Sequence, residues 1–414
     1  MARIASHRSS NGQRPNASRN FRALLLGAAC NSFGFFGEQV VVGYVVFELT
    51  ESSIWVGVSL ALYFAPMFFF GLASGAIADW ASDRRILIRR TEMSLGAILA
   101  VMAIYIETAG VTLAPFLLLC ALSGSGLALH QTLRGAIAFD LAGPQQILSS
   151  LGKLNLCTRL GQLAGAIAAG FTAREAGVGV ALALLALVHV LGAVFYRGFS
   201  PAVLASSAGT LGFGANLREF YRELRTNRVL AILVTLTAGV EVLGFSFVTA
   251  LPQLARERFE VGADGLGTLH SARAFGGILA ALVFAFMFRI QPTGSTYVFV
   301  VSAFGIAVIG LCGAPYFWSA LVALAAIAAL AVATDVLSQS MMQLSVADAM
   351  RGRAMGVWVF AIGAAPLGHL ELGFLVDQLG VADALLVNGC MLVTLALVAY
   401  TTLKKIAPRG MQSE

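Results

Sequence analysis

Charge is what this chain has least of. Only 12% of its 414 residues are Asp, Glu, Lys or Arg, where a soluble domain carries about one quarter. A large solvated surface, and with it an extramembrane catalytic domain, is excluded. Cysteine is scarce too: Cys30, Cys120, Cys157, Cys312 and Cys390 all fall inside apolar stretches without metal-ligand spacing, so they read as small core residues with no disulfide. The chain lacks a Gly-x-x-x-x-Gly-Lys-Ser/Thr loop, a metal cluster and a nucleophile with a placed base. It is therefore not expected to be an enzyme, to hold a cofactor or metal, or to consume ATP by itself.

What it has is hydrocarbon. Hydrophobic residues make up 58% of the sequence, and the mean hydropathy is +0.83. A bilayer-spanning helix needs about 20 apolar residues, and apolar runs broken by charge, Gly or Pro fall near 23-48, 53-78, 86-107, 112-135, 149-172, 177-196, 229-254, 264-288, 295-312, 316-343, 354-377 and 382-403. The expected fold class is an all-α polytopic membrane protein with twelve transmembrane helices. The first apolar run is too long for a cleavable signal peptide and is expected to stay as a span.

The net charge of +6 does not point to nucleic acid, because the basic residues lie between hydrophobic runs rather than on one solvated face. They report topology. With Arg174, Arg256 and Arg258 taken as outer and Arg159 and Arg273 as intramembrane, the remaining Lys and Arg fall on the termini and even-numbered loops. By the positive-inside rule both termini are cytoplasmic, in an inner membrane. The outer loops carry Glu48, Glu51, Glu107, Glu175, Glu257, Glu260 and Asp383.

The long loop near 198 to 228 divides the spans six and six. Expected units are an N-terminal tail (1-20), a first six-helix bundle (21-197), a cytoplasmic linker (198-227), a second bundle (228-404) and a tail (405-414). In the linker, Leu217, Phe220, Tyr221 and Leu224 share one helical face opposite Arg218, Glu219, Arg222, Glu223 and Arg225, which reads as an amphipathic helix on the inner surface. The halves repeat. At an offset of 203, Gly165 pairs with Gly368, Gly170 with Gly373, and Gly177-Val178 with Gly380-Val381; at 210, Val56-Gly57 pairs with Leu266-Gly267. Paired repeats of this kind mark transporters whose site lies between the halves.

Four stretches carry a family resemblance: "FELTESSIWVG" (47-57), "GAIADWASDRRILI" (75-88), "LRGAIAFDLAGPQQILSSLGKLN" (133-155) and "DAMRGRAMGVWVFAIGAAPLG" (348-368). On these the sequence resembles the major facilitator superfamily, and within it the drug and siderophore exporter group that includes enterobactin exporters and macrolide efflux pumps. The resemblance implies two pseudo-symmetric six-helix bundles, a small-molecule substrate and alternating access. It implies a cytoplasmic gate of Gly75, Asp79, Asp83, Arg84, Arg85, Arg134 and Arg353, with Trp80 standing where the family has Arg. It also places Gly161, Gly165 and Gly170 in a fifth-span glycine motif of antiporters, with Ala166 and Ala169 replacing its Pro and one Gly. Asp79 is expected to meet the N-terminal end of span eleven near Arg353, and Arg134 to stand beside Asp79 or Asp140.

Ionisable groups inside a bilayer are costly and so are functional candidates. The sequence offers Glu38, His130, Arg134, Arg159, Glu241, His270, Arg273, Asp335, His369 and Glu371. Counted at about 1.5 Å per residue from the inner flank, Glu38 and Glu241 lie ~24 and ~20 Å deep, in the first spans of the two repeats. A carboxyl taken out of water binds a proton more readily, so both are proton-coupling candidates; the alternative for each is a carboxylate held by an intramembrane arginine, Arg273 in the case of Glu241. Arg159 meets either an anionic substrate group or a cavity carboxylate. Asp335, among Thr334, Ser338, Gln339 and Gln343, lines the cavity or the inner gate, or marks the wet face of a helix near its cytoplasmic end. His369 and Glu371, two apart, point to different faces, and His189 reads as a packing histidine.

Three functions follow. The main expectation is proton-coupled efflux of a small amphiphilic molecule by a monomer in the bilayer. The alternative keeps the fold as an importer or facilitator of a metabolite, with Arg159 or Arg273 as the anion contact. A transport-inactive scaffold or sensor is the third.

Overall fold

A computed structural model of the chain describes residues 14–80, 83–109, 111–198, 222, 225–286, 293–345, 358 and 361–404. They form helices α1 (Arg14–Thr50), α2 (Ser53–Trp80), α3 (Arg84–Ala109), α4 (Leu113–Ala176), α5 (Val178–Phe195), α6 (Arg228–Arg258), α7 (Ala263–Phe286), α8 (Gly294–Cys312), α9 (Phe317–Leu344), α10 (Ala365–Leu379) and α11 (Val381–Leu403). No strand occurs among the described residues. Helices satisfy every backbone polar group internally, as a hydrocarbon environment demands. Eight of them are long and apolar enough to cross a membrane. The remaining expected spans coincide with α2, α3, the second limb of α4 and α10; α3 opens with Arg84, Arg85, Arg89, Arg90 and Glu92. Most of the expected linker helix, 217–225, lies outside the described residues.

Two expected spans, 112-135 and 149-172, are one unbroken helical stretch in α4. It cannot be straight. Ser123 reaches Glu38 of α1 and a side chain at Gly161 would meet Ala29 of α1. A straight helix would put Ser123 and Gly161 about 57 Å apart, whereas Ala29 and Glu38 are only about 14 Å apart. The chain therefore reverses between two antiparallel limbs, here α4a (113–135) and α4b (153–176). α6 is irregular in another way. Its α-helical start, Arg228–Gly239, passes into a π turn at Val240–Gly244 and a 3-10 stretch at Phe245–Ala250, and it ends in a second π turn at Leu254–Arg258.

The glycine pairs read from the sequence have structural counterparts. Gly177 and Gly380 each join two helices with nearly the same backbone, φ 96° and ψ 161° at one and φ 83° and ψ 164° at the other. That region is open essentially to glycine alone. Gly170 on α4b faces Gly267 on α7, and Gly57 on α2 faces Gly373 on α10. Each contact joins a residue of one half to a residue of the other, and the two contacts exchange under the repeat. Any side chain at these positions would strike backbone, so glycine permits the approach.

Polar contacts close the same face, the one expected to lie outside. Arg174 Nη1 donates to Asp264 Oδ2 at 2.7 Å, Ser53 Oγ to Gln253 Oε1 at 2.6 Å, and Arg256 lies 3.5 Å from Glu48. The Asp264 carboxylate beside Arg174 favours its charged form.

Candidate functional site

Charged side chains converge between the halves. Arg159 on α4b donates from Nη1 to Gln162 Oε1 at 3.0 Å, and a side chain at Gly277 of α7 would meet its guanidinium at 3.5 Å. The carboxyl of Asp335 on α9 is its electrostatic partner. Arg273 on α7 feels Arg159 as a like charge. Its guanidinium carbon lies 5.1 Å above the centre of the Phe247 ring, and its Nη1 is 3.1 Å from His270 Nδ1. Arg159, Arg273 and Asp335 are half-buried.

Glu241 joins this group from the π turn of α6. It is buried, and its electrostatic neighbour is Asp335. Arg273, the partner in the alternative reading of Glu241, is turned toward Phe247 and His270. π turns are rare and gather at functional positions, since one extra residue in a turn re-aims the side chains that follow. Two arginines and two carboxyls, drawn from α4b, α6, α7 and α9, thus share one region with His270 and Gln162.

Glu38 is placed differently. It is 1% exposed, and its Oε2 accepts from Tyr63 OH at 3.0 Å and Ser123 Oγ at 2.8 Å. Its Oε1 has no hydrogen-bond partner among the described residues. The donors come from α2 and α4a, so the carboxyl is held inside the first half.

Of the expected gate residues, Asp83 caps α3: its Oδ1 accepts from the backbone N–H groups of Arg85 at 2.9 Å and Ile86 at 3.3 Å, while Oδ2 pairs with Arg85 at 3.1 Å. Arg84 is buried. Arg134 faces Tyr196 and Glu92. The side chains of Gly75, Asp79 and Asp140, and all of Arg353, lie outside the described residues. In the span-five motif, Gly161 and Gly165 pack against the α1 backbone at Ala29 and Phe33, and Gly170 makes the contact with Gly267. His369 Nδ1 lies 2.9 Å from Thr249 Oγ1, and its ring stacks on Phe64 at 5.4 Å. Glu371 accepts from Asn388 Nδ2 at 3.0 Å.

Several partners were not legible as site residues: Tyr63, Ser123, Gln162, Phe247 and, above all, Glu92. Glu92 follows Arg89 and Arg90, which marks it as the solvated flank of a span. It is instead wholly buried, 2.7 Å from His189 and 2.9 Å from His130. His189, expected as a satisfied packing histidine, is buried with Glu92 as its hydrogen-bond partner.

Known proteins agree with this architecture. The family model described as "Transmembrane secretion effector" matches residues 11–413. The staphyloferrin A transporter of Staphylococcus aureus is 22% identical over 378 residues, covering 89% of this chain and 92% of that protein. The enterobactin exporter EntS of Shigella flexneri is 27% identical over 416 residues, covering 95% of each. Among solved structures, an auto-inhibited POT family peptide transporter superposes with a TM-score of 0.76 at 13% identity, covering 95% of this chain and 98% of the other. The nucleoside transporter NupG does so at 0.72 and 13%, covering 94% and 100%. These last two show the fold alone. With the family model spanning nearly the whole sequence, the chain belongs to the transmembrane secretion effector family of the major facilitator superfamily, and it is a secondary-active small-molecule transporter rather than an enzyme.

Proposed function

We propose that this transporter is a proton-linked carrier of a small, carboxylate-bearing metabolite, working by alternating access between two six-helix bundles, 21-197 and 228-404. The observation that carries the reading is the set of two arginines and two carboxyls between the halves. With both carboxyls ionised, Asp335 and Glu241 offset Arg159 and Arg273, and an anion meets no net attraction. A proton on either acid leaves the region positive, and a proton on Asp335 also frees Arg159 from it. Proton and anion then favour each other's binding, and linkage makes the effect reciprocal. A carrier of this kind moves both in one direction, which fits an importer or facilitator.

Both termini are taken to be cytoplasmic, so the face closed by the Gly170–Gly267 and Gly57–Gly373 contacts is the outer one and the described arrangement is closed outward. Gly75, Asp79, Asp83, Arg84, Arg85, Arg134 and Arg353 are assigned to the inner gate. The expectation of monomeric action stands with this reading.

Efflux remains a second reading because one relative is an enterobactin exporter and because Glu38 holds an unpartnered carboxyl oxygen away from the arginines. An antiporter would use Glu38 for the proton and the central region for the substrate at a different time. Thermal unfolding of the purified protein against a panel of small carboxylates, amines and neutral solutes tests the substrate class. The carrier reading expects carboxylates to stabilise wild type and not Arg159→Gln or Arg273→Gln. Stabilisation by amines alone would overturn it.

A further inference from the structure

The first half contains a second buried ionisable cluster that the central site does not use. Glu92 on α3 stands between two histidines: His130 Nε2 from α4a lies 2.9 Å from its Oε1, and His189 Nδ1 from α5 lies 2.7 Å from its Oε2. All three side chains are at most 1% exposed. The hydrogen bond from His189 to Glu92 requires a proton on His189 Nδ1. His130 Nε2 hydrogen-bonds with Tyr196 OH at 3.1 Å, and Glu92 Oε1 has no hydrogen-bond partner among the described residues.

His189 Nε2 is then a bare lone pair. Neither it nor His130 Nδ1 has a hydrogen-bond partner among the described residues. With Glu92 ionised and both histidines neutral the cluster carries one negative charge, and His189 Nε2 is open to a proton. These contacts are direct, so no metal fits between them.

Helix α1 aligns the cluster with Glu38. Gly27, Asn31, Gly34 and Glu38 recur at helical spacing on one face. A side chain at Gly27 would strike the Tyr196 ring, and one at Gly34 would strike His189 Nε2. Asn31 Nδ2, between them, also has no partner among the described residues. Glu38 lies one turn beyond Gly34, within electrostatic range of His189. Its unpartnered Oε1 and the bare His189 Nε2 thus lie along the same face of α1, Glu38 being one helical turn from the glycine that packs on the His189 ring.

We propose that Glu92, His130 and His189 form a proton-binding site separate from the central cavity, which loads at His189 Nε2 and exchanges that proton with Glu38. The step balances without a further reactant. The proton leaves Glu38 Oε1, which becomes a carboxylate; His189 accepts it at Nε2 and shares its Nδ1 proton with Glu92. The cluster goes from net negative to neutral. The titratable and charged groups facing it are Cys30 and Glu38 from α1, His130 and Arg134 from α4a, His189 from α5 and Tyr196 just beyond its end, with Tyr63 of α2 and Cys120 of α4a around Glu38. Arg134 offsets the unloaded charge of the cluster. Tyr196 OH lies 3.1 Å from His130 Nε2 and fixes that ring.

The inference gives the proton of the carrier a second resting place, and so rests on that reading for its purpose. Its test does not. The full chain in detergent micelles, without any substrate, is taken through the imidazole range while proton uptake is counted with an indicator dye, Glu38 is followed by its carboxyl infrared band, and labelled histidine nitrogens are followed by NMR. Wild type is expected to show His189 Nε2 gaining a proton. His189→Gln, which still donates to Glu92 but cannot load, is expected to bind about one proton fewer and to move the Glu38 transition by about one pH unit or more, the mark of coupled sites. Unchanged uptake together with an unmoved Glu38 band would overturn the proposal. So would a His189 Nε2 that stays bare throughout in wild type, a result available even if the variant fails to fold. A chain that carried no carboxylate across a membrane would leave these outcomes untouched.

Discussion

Glu38 and Glu241 stand 203 residues apart, the spacing that pairs Gly165 with Gly368, yet the two acids are built into opposite surroundings. α1 is regular at Glu38, whose Oε2 takes two hydroxyl donors. α6 breaks into a π turn at Glu241, where the neighbour is a second carboxyl, Asp335, in the region of Arg159. The repeat supplies two equivalent positions. Local geometry then makes one a sheltered acid inside its bundle and the other an acid at the shared interior. In the proposed carrier the second would respond to the substrate and the first would hold a proton while the substrate is absent.

The largest effect is expected where the two halves meet. Gly170→Leu drives a side chain into the α7 backbone at Ala263 and Gly267, an overpacking worth at least about 1–3 kcal/mol. The closed face should open, seen as faster labelling of a Ser53→Cys reporter by an impermeant maleimide. Next, Tyr63→Phe with Ser123→Ala strips Glu38 of both donors. Each lost partner of a buried acid costs about 1–3 kcal/mol, so the unfolding temperature in detergent should fall, and it should recover when Glu38→Gln is added. Third, Glu241→Gln should cut the pH dependence of carboxylate binding by about tenfold or more, a coupling of at least about 1.4 kcal/mol, measured by calorimetry at two pH values. Glu38→Gln should leave that binding dependence in place and lower transport instead. The smallest effect belongs to Arg174→Ala, whose pair with Asp264 is exposed; no measurable change in unfolding temperature is expected.

The helical, membrane-spanning class was legible because apolar runs near 20 residues have few other solutions in a bilayer. The glycine pairs were legible too: Gly57, Gly170, Gly267 and Gly373, matched by offset alone, turned out to touch crosswise. Less legible was anything set by where a helix faces. In helices that are apolar all round, periodicity does not orient a side chain, so whether Arg273 holds Glu241 is not readable from the sequence; it turns toward Phe247 and His270. The π turn at Val240–Gly244 left no mark in "AGVEVLGF". Glu92 was hidden by its neighbours Arg89 and Arg90, and its clue was indirect: His130 and His189 are two intramembrane histidines in need of a partner, in the same half as a lone acid. The join of spans four and five into one helical stretch escaped because the Gly143-Pro144 pair reads as a break.

Central to this account is the claim that a proton and a small carboxylate bind the interior region together. Proteoliposomes with a trapped pH dye, given an outside panel of small mono- and dicarboxylates, test it most directly. A carried anion is expected to acidify the lumen as it enters, and Arg159→Gln and Arg273→Gln to abolish both fluxes. Alkalinisation of the lumen during anion entry, or anion entry with no pH change, would contradict it.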